Sequence, residues 1–141
     1  MSRAARPSDV ESLDAILRAM YEVISGPARQ PRDWDRLRSL YAEGARLVPI
    51  GMGEWARARI LSPEDYIRRV EPIFETEDFW EVETDRQTET FGNIAHVLSS
   101  YESRRTADGE PFERGKNSVQ LFYDGARWWI VSVMWNTPRA E

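Results

Sequence analysis

Residues 79–138 contain four runs that decide the fold: FWEVETDRQTETFG (79–92), IAHVLSSYESRRT (94–106), PFERGKNSVQLFYDG (111–125) and ARWWIVSVMWNTP (126–138). Each is rich in β-branched and aromatic residues, and each joins the next through a hairpin-type pair: Gly92-Asn93, Asp108-Gly109 or Asp124-Gly125. Turns this far apart leave room for long strands. Long strands joined by tight turns predict an antiparallel meander.

Upstream of this block the pattern is helical. Val10, Leu13, Leu17, Met20 and Ile24 form one apolar stripe, which predicts a helix over 9–24. Ser8 and Glu11 supply a capping box at its start, and Ser25-Gly26-Pro27 ends it. Asp33 opens a second helix over 33–41, with Trp34, Leu37 and Tyr41 on one face. A short edge strand is expected at 45–51, followed by an alternating stretch through Trp55. Ser62-Pro63-Glu64-Asp65 starts a third helix, which Pro72 is expected to kink or end. Residues 1–7 read as a disordered arm before a single domain at 8–138.

Helices first and strands last imply an α+β domain. The helical stripes need an apolar partner, and the sheet is the one on offer. The expected architecture is a cone-shaped, curved antiparallel sheet wrapped around about three N-terminal helices, with a mouth at one end.

Composition excludes several chemistries. The chain has 141 residues, no cysteine and one histidine, so disulfide scaffolds, thiolate zinc sites and cysteine nucleophiles are out, and no metal or cofactor is expected. A net charge of −5 argues against nucleic acid as a partner. The longest nearly apolar run, WWIVSVMW at 128–135, is far below the roughly 20 residues of a spanning helix. The first residues carry no apolar secretion signal, so the expected location is cytoplasmic. Six tryptophans must be buried or must line something.

The order of elements, the opening helices DVESLDAILRAMYEVISG and DWDRLRSLYAEGARLV, the glycine-led strand FGNIAHVLSSYESR and the closing hairpin NSVQLFYDGARWWIVSVMWNTP together resemble the nuclear transport factor 2-like superfamily, in its SnoaL-like, polyketide-cyclase-like branch. The resemblance covers about residues 8–138. It implies a cystatin-like α+β barrel with a pocket inside the cone, and dimers packed through the outer face of the sheet. Members of the superfamily include isomerases, dehydratases, epoxide hydrolases, cyclases and proteins that only bind or transport, so fold alone does not supply the function.

Enzymes of this kind do proton chemistry on small apolar molecules. That requires a carboxylate or imidazole in an apolar pocket and a donor for the developing oxyanion. His96, the one imidazole, shares a strand face with Ile94 and Leu98; it is either a base or a residue of the outer sheet face. Tyr101, on the other face with Ser99, is the candidate donor. Along 81–89 the carboxylates of Glu81, Glu83, Asp85 and Glu89 alternate with Val82, Thr84, Arg86 and Thr88. Strict alternation sends those acids outward to water and Arg86 inward, as an anion anchor or a mouth residue paired to a helix acid. Trp34, Ser99, Asn117, Gln120, Trp135 and Asn136 complete the set of candidate ligand contacts. Of the adjacent Trp128 and Trp129, one is expected on the outer face, as in a homodimer interface.

Three functions follow as expectations. The first is a binding protein for a small apolar molecule. The second is a cofactor-independent isomerase, dehydratase or cyclase using His96, or a helix aspartate such as Asp33 or Asp35, with Tyr101. The third is a protein-interaction module.

Overall fold

A computed structural model describes residues 4–51 and 57–138. Trp55, expected at the lip of the cone, lies outside the described residues.

The helical half departs from the expectation at its start. Proline is pre-shaped for the first helical position, so Pro7 opens a short α1 (Pro7–Val10). Ser8 therefore sits inside α1 and caps nothing. The chain breaks and restarts at Ser12, whose side chain accepts the Ala15 N–H at 3.0 Å and caps α2 (Leu13–Glu22). Arg36 clamps the buried Asp9 of α1 with two 2.9 Å hydrogen bonds from Nε and Nη2. Arg6, within the expected arm, reaches Asp33 at 3.4 Å. Asp33 caps α3 (Trp34–Leu40), which runs directly into β1 (Tyr41–Pro49).

The loop between α2 and α3 is fastened from within. Arg32 is 7% exposed, and its guanidinium donates to the carbonyls of Ile24 (3.1 Å), Gly26 (3.0 Å), Pro27 (3.1 Å) and Gln30 (2.8 Å). It also lies 4.7 Å from the centre of the Phe74 ring.

Helix α4 (Pro63–Thr76) opens with a reciprocal capping box between Ser62 and Asp65. It runs through Pro72 to Thr76. Pro72 and Arg68, whose carbonyl loses its donor, both face solvent, where water can take the donor's place.

The four long strands are β2 (Trp80–Phe91), β3 (Ile94–Arg104), β4 (Pro111–Tyr123) and β5 (Trp128–Asn136). They form the expected meander, but the sheet is mixed. Its order is β1-β5-β4-β3-β2, and β1 pairs with β5 in parallel. The long return through α4 and three hairpins brings the last strand beside the first. The sheet is curved and open; it does not close into a barrel.

The core lies between the helices and the concave face. Ile16, Leu17, Leu37, Leu40, Val97, Val119 and Ile130 are almost fully buried there. On β3, residues 95, 97, 99, 101 and 103 point inward by strict alternation.

Strand β2 breaks the alternation. Glu83 pairs with Tyr101, but Asp85 already pairs with Ser100, so Thr84 is an extra residue, a β-bulge. Before the bulge the odd residues Glu81 and Glu83 stand opposite the inward Ser103 and Tyr101. After it the even residue Arg86 stands opposite the inward Ser99. The expectation that all the acids of β2 face water is thus corrected. Asp85 and Glu89 lie on the convex side; Glu81 and Glu83 lie on the concave side.

Candidate functional site

A cavity of about 280 Å³ opens between α2, α4, β1 and the concave face of the sheet. Much of its wall is apolar, built from residues such as Met20, Ile24, Leu47, Val70, Phe79 and Val133. Four tyrosines enter it: Tyr21 from α2, Tyr41 from the start of β1, Tyr66 from α4 and Tyr101 from β3. Trp135 closes one side, with Tyr66 packed edge-on against it at 5.9 Å. Arg69 and Glu113 add the charged groups besides Glu81.

Glu81 is the chemical centre of this space. Burial, the largest cause, with Glu113 adding to it, pushes the carboxyl up to about 7, against the pull of the Asn117 amide. Asn117 Nδ2 donates to Glu81 Oε1 at 3.3 Å and to the Tyr21 hydroxyl at 3.0 Å. A buried chain continues from there. The Tyr21 and Ser99 hydroxyls are 2.6 Å apart, and Ser99 donates to Glu83 Oε2 at 2.5 Å. Arg86 grips Glu83 through Nη2 (2.6 Å) and Nε (3.1 Å) and pairs with Asp14 of α2.

The hydroxyls of Tyr41, Tyr66 and Tyr101 line the cavity without a hydrogen-bond partner shown for them among the described residues. Burial, reinforced by the Glu81 charge, holds all three above the ordinary phenol range. They stay neutral and act as donors. Ser103 Oγ, 1% exposed, lines the same wall and is also unpartnered among the described residues.

The candidates from the sequence divide cleanly. Tyr101, Asn117 and Trp135 line the cavity, and Ser99 supports it from behind. Arg86 is paired to helix and strand acids outside the cavity, in a neighbouring cleft shared with Asp14, Arg18 and Trp80. Trp34 stands behind α4: it stacks on Phe74 at 6.3 Å and donates to Glu71 at 2.9 Å. His96 and Gln120 face each other on the convex side, away from the cavity, and His96 Nε2 meets Ser118 Oγ at 2.9 Å. Asn136 is exposed opposite Lys116. Alternation accounts for all three: their inward neighbours are Ala95, Leu121 and Trp135. Asp33 and Asp35 serve as cap and ion-pair partner on α3, outside the cavity lining.

Gly115 sets the position of Tyr101. A Cβ there would stand 2.6 Å from the Tyr101 hydroxyl, 2.6 Å from the Asn136 carbonyl oxygen and 2.6 Å from Thr137 Cγ2. Gly115→Ala is therefore expected to push the ring into the cavity or part β4 from β5, lowering stability by about 1–3 kcal/mol, as overpacking does. Urea unfolding measures this. A variant as stable as the parent would mean that Tyr101 is not held against this strand.

A helix-backed curved sheet around an aromatic cavity that holds the Glu81 carboxyl defines a small α+β pocket domain. Solved structures give that class its fold name, nuclear transport factor 2-like or cystatin-like. A cystatin-like protein of unknown function from Nostoc punctiforme superposes with a TM-score of 0.69 at 8% identity, over 91% of this chain and 90% of that one. The hexachlorocyclohexane dehydrochlorinase LinA-type3 from Novosphingobium barchaimii gives 0.67 at 12% identity, over 92% and 86%. An NTF2-like protein of unknown function from Silicibacter pomeroyi gives 0.61 at 17%, over 91% and 94%. No family model and no curated protein matches the sequence. Among the described residues, no helix is long and apolar enough to cross a membrane.

Proposed function

We propose that the protein binds a small, largely apolar, uncharged molecule in this cavity and moves a proton on it without a cofactor, with Glu81 as the acid–base group. The observation that carries this reading is the Glu81 carboxyl, held in an aromatic cavity and pushed up to about 7, where a base and its conjugate acid coexist near neutral pH. The tyrosine hydroxyls complete the chemistry. They are donors with no acceptor among the described residues, so the favoured ligand carries carbonyl or ether oxygens. In the proposed step the Glu81 carboxylate takes a proton from carbon next to a carbonyl, leaving the electron pair in an enolate. The Tyr101 hydroxyl hydrogen-bonds the enolate oxygen, and Glu81 returns the proton to carbon. His96, on the convex face, has no part in it. A dehydrochlorinase of the same fold supports the reading only as an example of a neighbour that removes a proton and a leaving group.

The test is deuterium uptake. A panel of small cyclic and aryl ketones in D2O, followed by NMR, is expected to exchange above background with the protein. Exchange should rise with pH through about 7 as Glu81 ionises, then level off. Glu81→Gln is expected to cut it by roughly 10²-fold or more. Ligands that raise the melting temperature of both forms while exchanging in neither would make this a binding protein.

The convex face suggests the partner. Phe91 (84% exposed) and Ile94 (59%) stand with Phe122 and Val131 around one shallow groove. An exposed apolar patch on one face suits two-fold pairing, and we propose a homodimer built this way. Light scattering behind size exclusion is expected to give twice the chain mass, and Val131→Glu to halve it. A monomer at tens of micromolar would remove the dimer.

A further inference from the structure

We infer that Glu83 and Arg86, outside the cavity, are positioning residues that fix which end of the Asn117 amide faces Glu81. The inference rests on the reading of Glu81 as the proton-transfer group, and it adds a device that sets the state of that group from a distance.

The direction of the hydrogen-bond chain carries the argument. Glu83, gripped by Arg86 as a carboxylate, can only accept. The Ser99 proton therefore goes to Glu83, which leaves Ser99 as the acceptor for the Tyr21 hydroxyl. With its proton committed, Tyr21 must itself accept from Asn117. Only the NH2 end of the amide can supply that bond, and its second N–H falls on Glu81 Oε1. Ser99, Asn117 and Tyr21 are 0%, 5% and 6% exposed, so solvent has little access to rearrange the links. Reversing any link would set two acceptors or two donors face to face. The polarity thus runs one way, from Arg86 in the neighbouring cleft to Glu81 in the cavity, and ends with a donor on the carboxylate.

An uncharged, donating group at position 83 frees the opposite polarity. In Glu83→Gln the new side-chain amide would donate to Ser99, Ser99 to Tyr21, and Tyr21 to Asn117 Oδ1. The Asn117 amide would then present oxygen to Glu81 and hold the carboxyl's proton. The chain is not a proton wire, because the Asn117 amide does not pass protons on; it transmits orientation only.

The experiment titrates the Glu81 side-chain carboxyl by ¹³C NMR in the full-length protein. The other titratable or charged groups of the cavity, Tyr21 of α2, Tyr41 of β1, Tyr66 and Arg69 of α4, Tyr101 of β3 and Glu113 of β4, stay the same in the first two variants. In Glu83→Gln the two mechanisms predict opposite signs. Loss of a neighbouring negative charge alone lowers the Glu81 midpoint; reversal of the chain raises it by about one pH unit. Ser99→Ala, which changes no charge, frees the Tyr21 proton for Asn117 Oδ1 and is expected to raise the midpoint likewise. Tyr21→Phe cuts the chain, and Glu83→Gln added to it is expected to lower the midpoint. A fall in Glu83→Gln, or an unmoved midpoint in Ser99→Ala, overturns the inference. The readout needs no turnover. A protein that exchanges no ketone proton yet shows these shifts loses the proposed function and keeps the relay.

Discussion

Glu81→Gln is expected to make the protein more stable at pH 8 and no more stable at pH 4. The carboxyl rises from an ordinary value of 4.5 to about 7 in the fold, chiefly because burial removes it from water. A raised acid binds its proton more tightly folded than unfolded. Its ionisation therefore penalises the fold only as pH climbs. Below about 4.5 both states are protonated and the residue is neutral in its effect. Between 4.5 and 7 the folded state loses ground, and above 7 the full penalty stands. That penalty is about 2–3 kcal/mol once the partly open cavity is allowed for. Glutamine keeps the acceptor for Asn117 and carries no charge, so it should recover most of that energy. For a chain of this size the gain at pH 8 is roughly 5–10 °C in melting temperature. Calorimetry at the two pH values decides the matter. An equal difference at both, or a loss at pH 8, would mean that Glu81 is well solvated and unfit for the role assigned to it. A stability gain confined to high pH would show that the fold holds the Glu81 carboxylate at a cost, as the proposed proton transfer requires.

Arg32 gives the second large effect, and its sign is opposite. The guanidinium satisfies four carbonyls of one loop and stacks over Phe74. Arg32→Met fills much of the same volume but loses all four bonds, leaving the Gly26 and Pro27 carbonyls only the backbone donors of Phe79 and Gln30. At about 1 kcal/mol for each lost bond, the expected loss is about 3–4 kcal/mol. Arg32→Lys should recover less than half, because a point ammonium cannot span four carbonyls set around a planar fork. Urea denaturation of the two variants measures this. If lysine matched arginine, charge rather than the fork would be holding the loop. The loop follows directly from the helix that carries Tyr21, so a slack loop should also loosen the buried hydrogen-bond chain behind the cavity.

Much of the fold was legible because hydrophobic period and turn chemistry agreed along most of the chain. The glycine pairs at 92, 109 and 125 marked every hairpin, and the stripe through Leu17 and Met20 marked the helix that caps the sheet. Where two start signals competed, local geometry chose. Pro7 began a helix that Ser8 was expected to cap, and Ser12 capped the next. The parallel pairing of β1 with β5 left no local trace, since nothing in ARLVPIG names its partner.

The site was half legible. Tyr101, Ser99, Asn117 and Trp135 were found because β3, the middle of β4 and the end of β5 keep their alternation across the cavity. Tyr41 was visible on the apolar face of the second helix, yet a stripe does not say which of its members ends in open space, and Tyr21 and Tyr66 carry no mark that sets them apart from core aromatics. Glu81 was misplaced for a definite reason. Its alternation was extrapolated through Thr84, and a bulge built from a threonine has no sequence mark comparable to a glycine's. The surplus of acids around it also made solvation the natural reading.

Thr84 acts as a half-period phase slip in an otherwise regular signal. Upstream of it odd numbers face the concave side; downstream even numbers do. Gaining or losing one residue there would turn one end of the strand over relative to the other while leaving every hairpin in place. One such event would place a carboxylate on the concave side or remove it, with the neighbouring strands left as they are.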